Sequence, residues 1–276
     1  MRFAIASSLD YQAFGPSTLI LNIEAMREGQ AIHSEAFSIN PDIAHEDHVA
    51  ETGNRYRRLL LGPGSYRITY TAEVETMPSH ESPGDVPEVP VSQLPLAVLP
   101  YLFASRYCPS DQLARFAIRQ FGQLPQGHER VTAICNWIYE HVDYLRGSSD
   151  TGTTAAETFA QRAGVCRDFA HLAISFCRAL GIPARFVSAY GWQLDPPDFH
   201  AVFEAWLGNR WYVFDATRLS PVDGLVRIGV GRDAADTAFS TFFGAITPGP
   251  LSVSITPAGP ADETRPWTTD AVSLSG

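Results

Sequence analysis

The stretch Gly164-Val165-Cys166-Arg167-Asp168-Phe169-Ala170-His171-Leu172-Ala173-Ile174-Ser175-Phe176-Cys177-Arg178-Ala179-Leu180-Gly181-Ile182-Pro183 places apolar side chains around most of a 3.6-residue period. Phe169, Ala170, Ala173, Cys177 and Leu180 line one stripe, while Leu172, Ile174 and Phe176 fill much of the rest. A helix that is hydrophobic nearly all round belongs at the centre of a fold. Gly181 supplies its stop and Pro183 prevents continuation. Upstream, Ser110 is placed to cap a helix with Leu113, Phe116, Ala117 and Phe121 on one face, and a second helix carries Val131, Ile134, Cys135, Ile138 and Val142 at helical spacing. Downstream, residues 185–190, 200–207 and 210–215 read as strands. Helices followed by a run of strands predict the α+β class, a central helix packed on an antiparallel sheet.

Further out, residues 1–77 alternate apolar and polar positions and contain a hairpin pattern around Gly62-Pro63-Gly64, which predicts an antiparallel β-rich module. Residues 78–100 are dense in proline, which removes a backbone donor and fixes φ, so this stretch reads as a linker without helix or central strand. The helix-and-strand unit then runs over 101–250. Residues 251–276 begin with the alternating Leu-Ser-Val-Ser-Ile and continue as a polar, Pro-rich, frayed tail.

The chain has 276 residues, 45% hydrophobic, with 20 Lys+Arg against 30 Asp+Glu, a net charge of −10. That is ample material for a core and excludes the disordered class. A field of this sign repels phosphate backbones, so no nucleic-acid partner is expected. The first residues are too interrupted by Asp10, Gln12 and Pro16 for a secretory leader, and no window reaches the roughly 18 apolar residues of a membrane helix. Cys108, Cys135, Cys166 and Cys177 fall at irregular spacings that fit neither a disulfide framework nor a zinc site. The expectation is a cytoplasmic chain with reduced thiols and no membrane partner.

Chemistry centres on Cys166. It lies in the first turn of the central helix, where unsatisfied N–H groups and the positive dipole end stabilise a thiolate. Arg167 adds a cation, while Asp168 adds an anion that opposes the thiolate and favours the helix start. A base is found by counting. If Gly208-Asn209 is a two-residue hairpin turn, Leu207 faces Arg210, Trp206 faces Trp211, Glu204 faces Val213 and Val202 faces Asp215. His200 is then a diagonal neighbour of Asp215 on one side of the sheet, within reach of an imidazole-to-carboxylate bond. A carboxylate holding one imidazole nitrogen leaves the other to serve a nucleophile. Taken singly, Cys166 is as well read as a small buried hydrophobe, His200 as a strand-end residue and Asp215 as a turn residue; taken together they point to a Cys-His-Asp set. Glu204 shares the His200 face and is the rival carboxylate, though further from the ring. His45 and His48 lack a third ligand and read as a solvated polar loop. His171 lies about 140° round the helix from Cys166 and should not face the thiol. Cys108, Cys135 and Cys177 read as structural. No calcium, nucleotide or dinucleotide motif occurs, so no cofactor or metal is expected.

The runs Gly164-Val-Cys-Arg-Asp-Phe-Ala-His-Leu, Arg178-Ala-Leu-Gly-Ile-Pro-Ala-Arg185, Asp198-Phe-His-Ala-Val-Phe-Glu-Ala and Trp211-Tyr-Val-Phe-Asp-Ala-Thr-Arg218 resemble, in order, the transglutaminase-like superfamily of papain-fold cysteine enzymes, and its bacterial group with a β-rich N-terminal region. The resemblance implies a papain-like, transglutaminase-like core preceded by a β-sandwich-like module, with Cys166 as nucleophile, His200 as general base and Asp215 as orienting carboxylate. The stretch from Val222 to Asp236 resembles a signature of the bacterial group. Val202 and Ala216 stand where relatives commonly have Trp and Pro. The indole that serves the oxyanion in animal transglutaminases has no counterpart at 148–154, leaving Tyr144, Thr153 and Thr154 as second donors beside the Cys166 N–H. The expected function is a cysteine-dependent acyl transfer from a peptide, protein or small amide substrate through a thioester. Hydrolysis by a peptidase or amidase is preferred on the cytoplasmic reading and the lack of a calcium motif. Transfer to an amine is the first alternative, and a non-catalytic binding module with a relic triad the second.

Overall fold

The computed structural model describes residues 1–259 and 268–274. The N-terminal strands are β1 (Arg2–Ala13), β2 (Ser17–Leu21), β3 (Gln30–Asn40), β4 (His45–Val49), β5 (Arg55–Leu61) and β6 (Gly64–Thr76), with β7 at Ser79–Glu81. After short 3₁₀ turns come α1 (Ser110–Phe121), α2 (His128–His141), β8 (Asp143–Tyr144), α3 (Ala155–Gln161), β9 (Ala163–Gly164) and α4 (Cys166–Ala179). The strands β10 (Ala184–Gly191), β11 (Phe199–Leu207), β12 (Arg210–Phe214), β13 (Leu225–Gly231), β14 (Ser240–Phe243), β15 (Ile246–Pro257) and β16 (Ala271–Ser273) follow.

Two four-stranded antiparallel sheets, β15-β1-β6-β3 and β14-β2-β5-β4, enclose one apolar core that includes Phe3, Leu19, Leu59, Ile68 and Val74. This is the sandwich-like N-terminal module, and β14 and β15 return to it from late in the chain. The six-stranded sheet has the order β13-β10-β11-β12-β16-β7. Its face bearing Phe186, Ala201, Phe203, Ala205, Tyr212 and Phe214 packs with Phe169, Ala173, Phe176 and Cys177 of α4, while α1 and α2 supply Leu113, Phe121, Val131 and Ile138 to the same core. The central helix is thus sandwiched between the other helices and the sheet, as its apolar circumference requires. It ends at a left-handed Gly181, φ 80°, with Gly181 N–H on Arg178 O and Ile182 N–H on Cys177 O, the two bonds of a Schellman stop. Ser110 begins α1 as its first residue and makes no capping bond, because Pro109 holds the cap position.

The late segment from Val222 to Asp236 acquires a physical role. β13 is an edge strand, and an edge leaves backbone groups unpaired. Two side-chain amides from the N-terminal module fill them. Gln30 Oε1 accepts from Arg227 N–H at 3.0 Å while its Nε2 donates to Arg227 O at 2.8 Å, and Asn54 does the same for Val230, both at 2.9 Å. Gly229 permits that approach, since a Cβ there would stand 2.8 Å from Asn22 Nδ2. The sandwich is therefore fixed to the sheet by buried amide-to-backbone hydrogen bonds from Gln30 and Asn54.

Three expectations are corrected. The 78–100 stretch contributes β7, although only as an outermost strand, where the prolines around it are tolerated. The strand read from Leu251 begins at Ile246, and the part of the frayed tail that is described contains β16, buried between β12 and β7. The rest of that tail, 260–267 and 275–276, lies outside the described residues. His45 to His48 form part of β4, exposed throughout, rather than a loop. Because Val272 pairs with Val213 on β12 and is fully buried, Val272→Ala should destabilise the protein by about 2 kcal/mol in urea unfolding.

Candidate active site

Gly208 and Asn209 have φ of 52° and 68°, the two left-handed positions of a type I′ turn. The turn sets the pairs Leu207–Arg210, Trp206–Trp211 and Glu204–Val213, which are those obtained by counting. Asp215 follows directly on β12 and His200 is second in β11. Their side chains meet, His200 Nε2 to Asp215 Oδ2, at 2.8 Å, and both side chains are almost fully buried. Glu204 is engaged elsewhere, 2.6 Å from Arg185 Nε and 3.4 Å from Arg227 Nη1.

The other imidazole nitrogen, Nδ1, is buried without a hydrogen-bond partner, and the Cys166 sulfur acts on the ring electrostatically. Burial opposes charge on this imidazole, but the Asp215 carboxylate and the Cys166 sulfur outweigh it and raise its pKa to about 10. Burial likewise opposes the Asp215 carboxylate, yet the His200 charge and two donors from Thr217 hold it below the usual range. An ionised carboxylate facing a protonated imidazole is the result. A cation and a helix N-terminus are the surroundings in which a cysteine thiolate is stabilised.

Cys166 is half-buried at the start of α4, whereas Cys108, Cys135 and Cys177 are buried. Burial pushes the Cys108 thiol up to about 12 and raises Cys135 and Cys177 further above the ordinary thiol range. By charge alone Asp168 opposes the thiolate, but its carboxylate turns back along the helix start. It accepts from Val165 N–H at 2.8 Å and Ser149 Oγ at 2.5 Å, with Arg167 Nη2 at 3.4 Å. Those donors hold it there while it satisfies one orphan N–H. Gly164 makes room: a Cβ there would lie 2.7 Å from Asp168 Cβ.

Of the three second-donor candidates, Thr153 bonds with Asp150 and Thr154 caps α3 in a reciprocal pair with Glu157. Tyr144 remains. The parallel β8–β9 pair sets it beside Gly164, its ring lies 5.8 Å from that of Phe169, and its hydroxyl interacts with the Cys166 backbone N–H and thiol. Burial and the neighbouring sulfur push that hydroxyl up to about 12, so it stays protonated. His171 turns away from the thiol as expected, accepting from Ala234 N–H at 3.1 Å and stacking on Tyr107. Thr217 and Ser149 were missed; an Asp followed two residues later by Thr is the turn pattern that could have flagged the first. Among the described residues no group of three His, Cys, Asp or Glu could hold a metal ion, and no helix is long and apolar enough to cross a membrane.

The sequence and the fold match known proteins. Residues 115–216 match the transglutaminase-like superfamily, and residues 1–97 match the bacterial transglutaminase N-terminal domain. A crystal structure of a candidate cysteine protease from Cytophaga hutchinsonii is 41% identical, with a TM-score of 0.95, covering 99% of this chain and 97% of that one. The chain belongs to the transglutaminase-like superfamily, and the class it enters is that of cysteine-dependent enzymes. An uncharacterized Mycobacterium leprae protein is 32% identical over 141 residues, 48% of this chain and 50% of that protein. An uncharacterized protein of Mycobacterium tuberculosis is 36% identical over 115 residues, 36% of each. The chain thus spans half or less of the length of these curated relatives.

Proposed function

We propose that this protein is a peptidase or amidase that works through a Cys166–His200–Asp215 triad and a thioester. The observation that carries the reading is one imidazole held by Asp215 at 2.8 Å on Nε2, with its charge supported by the sulfur of Cys166 at a helix N-terminus. The Cys166 thiolate adds to the carbonyl carbon of a peptide, protein or small amide, and the carbonyl oxygen becomes an oxyanion beside the Cys166 N–H. The incoming carbonyl displaces the Tyr144 hydroxyl, which then donates from the side. His200 gives its proton to the nitrogen, the C–N bond breaks, the amine leaves and the acyl group stays on sulfur. Water then loses a proton to the imidazole and attacks the thioester; the acid departs and the thiolate is restored.

Iodoacetamide at neutral pH tests the nucleophile. Cys166 should alkylate far faster than the three buried thiols, and Cys166→Ala should remove the fast phase. Labelling that is slow and equal at all four thiols would overturn the reading. A mixed peptide library, incubated with and without a primary amine, tests the second half: free acids are expected, and amine-capped products in excess would make the protein a transferase.

A further inference from the structure

The Asp215 carboxylate has two oxygens with different neighbours. Oδ2 meets His200, while Oδ1 accepts twice from a single residue, Thr217, through its backbone N–H at 2.8 Å and its hydroxyl at 2.6 Å. Thr217 is itself buried, and its hydroxyl oxygen accepts from Leu219 N–H at 3.3 Å, which orients the hydroxyl proton toward the carboxylate. The terminal torsion of an aspartate is broad and roughly two-fold, so nothing intrinsic to the side chain decides which oxygen faces the imidazole or at what angle. Two donors converging on one oxygen do decide it. A hydrogen bond to a buried charge is also one of the stronger kinds, and it favours the ionised form.

We propose that Thr217 is a positioning residue of the site, its hydroxyl fixing the plane and the ionised state of the Asp215 carboxylate and thereby holding the His200 proton in place for Cys166. This rests on the triad reading above and extends it to a residue outside the triad. Of the titratable and charged groups around the pair, Cys166 on α4 acts on His200 and Cys135 on α2 acts on Asp215, while Tyr144 on β8 lies beside Cys166 and Arg218, on the turn that carries Thr217, beside Cys135. Arg218 is drawn outward, bonded to Asn136 Oδ1 at 2.6 Å and stacked over Tyr139, so it does not replace the hydroxyl.

The test needs no identified substrate. The rate of Cys166 alkylation by iodoacetamide is followed by mass spectrometry from pH 4 to 9 in the wild type, Thr217→Val, Thr217→Ala and Thr217→Ser, with thermal melting of each to confirm folding. Formation of the thiolate–imidazolium pair gives an acid limb. Without the hydroxyl the Asp215 carboxylate loses a donor and ionises at higher pH, and the thiolate–imidazolium pair that depends on its charge forms at higher pH with it, so the limb should move up by about one unit in the valine and alanine variants. The serine variant should superimpose on the wild type. A limb unmoved in the variants lacking the hydroxyl, or moved equally in the serine variant, overturns the role of Thr217. A wild-type profile with no acid limb at all instead sinks the underlying triad, which keeps the two failures distinct.

Discussion

Asp215→Asn is expected to lower kcat/KM for amide hydrolysis by on the order of 10³–10⁴, as much as Asp215→Ala, with the loss in kcat. The asparagine is isosteric and, in isolation, would look conservative, because its carbonyl could still accept from an imidazole N–H. The surroundings decide otherwise. Thr217 directs two donors at the position of Oδ1, so the single amide oxygen is drawn there and the NH₂ is left pointing at His200 Nε2. Two donors cannot face each other, and the imidazole then carries its proton on Nδ1, the nitrogen that must serve the thiol. The same tautomer fault in a Ser-His-Asp triad costs about 10⁴ in kcat. Steady-state kinetics on an amide found by library profiling, with alkylation at pH 6 as a second readout, checks the result. Activity within tenfold of wild type would mean that Asp215 does not set the tautomer.

That argument also shows where the sequence was legible. The His200–Asp215 contact followed from a two-residue turn and a strict period of two, both local rules, and the hairpin register obeys them residue by residue. The central helix was likewise legible, because its circumference and its Gly181 stop are written in consecutive residues. What was not legible depends on partners far away in the chain. The strand at Ala271–Ser273 is only three residues long, and its neighbours β12 and β7 make it a strand. Glu204 is ruled out as the orienting carboxylate only by Arg185 and Arg227, which come from two other strands. Asp168 was judged by its charge, when its carboxylate is spent on Val165 N–H and Ser149. The glycine at 229 in the Val222–Asp236 segment is explained only by Asn22 and Asn54, which pack against it from the distant N-terminal module.

The buried pair should also make stability depend on pH in a defined direction. His200 has its folded pKa raised from 6.5 to about 10, so its contribution is fully present below about pH 6.5 and is lost as the pH climbs through the folded value. Asp215 has its folded pKa depressed from 3.8, so its contribution is present above that value and is lost as the pH falls through the lower folded one. The two windows overlap between about pH 4 and 6.5. The reference must be neutral at both positions, since changing one partner alone leaves a buried charge uncompensated. Relative to the double variant His200→Gln/Asp215→Asn, the wild-type unfolding free energy should be level across that overlap. It should then decline by up to about 1.4 kcal/mol per pH unit toward pH 10, a few kcal/mol in all. The prediction concerns the slope and not the absolute difference, because desolvation of the pair offsets much of its attraction at every pH. Urea unfolding of both proteins at half-unit steps from pH 4.5 to 9.5 measures it. A difference that stays constant over the alkaline range would mean that the imidazole is not held charged by Asp215, and the ion pair assigned to the site would have to be given up.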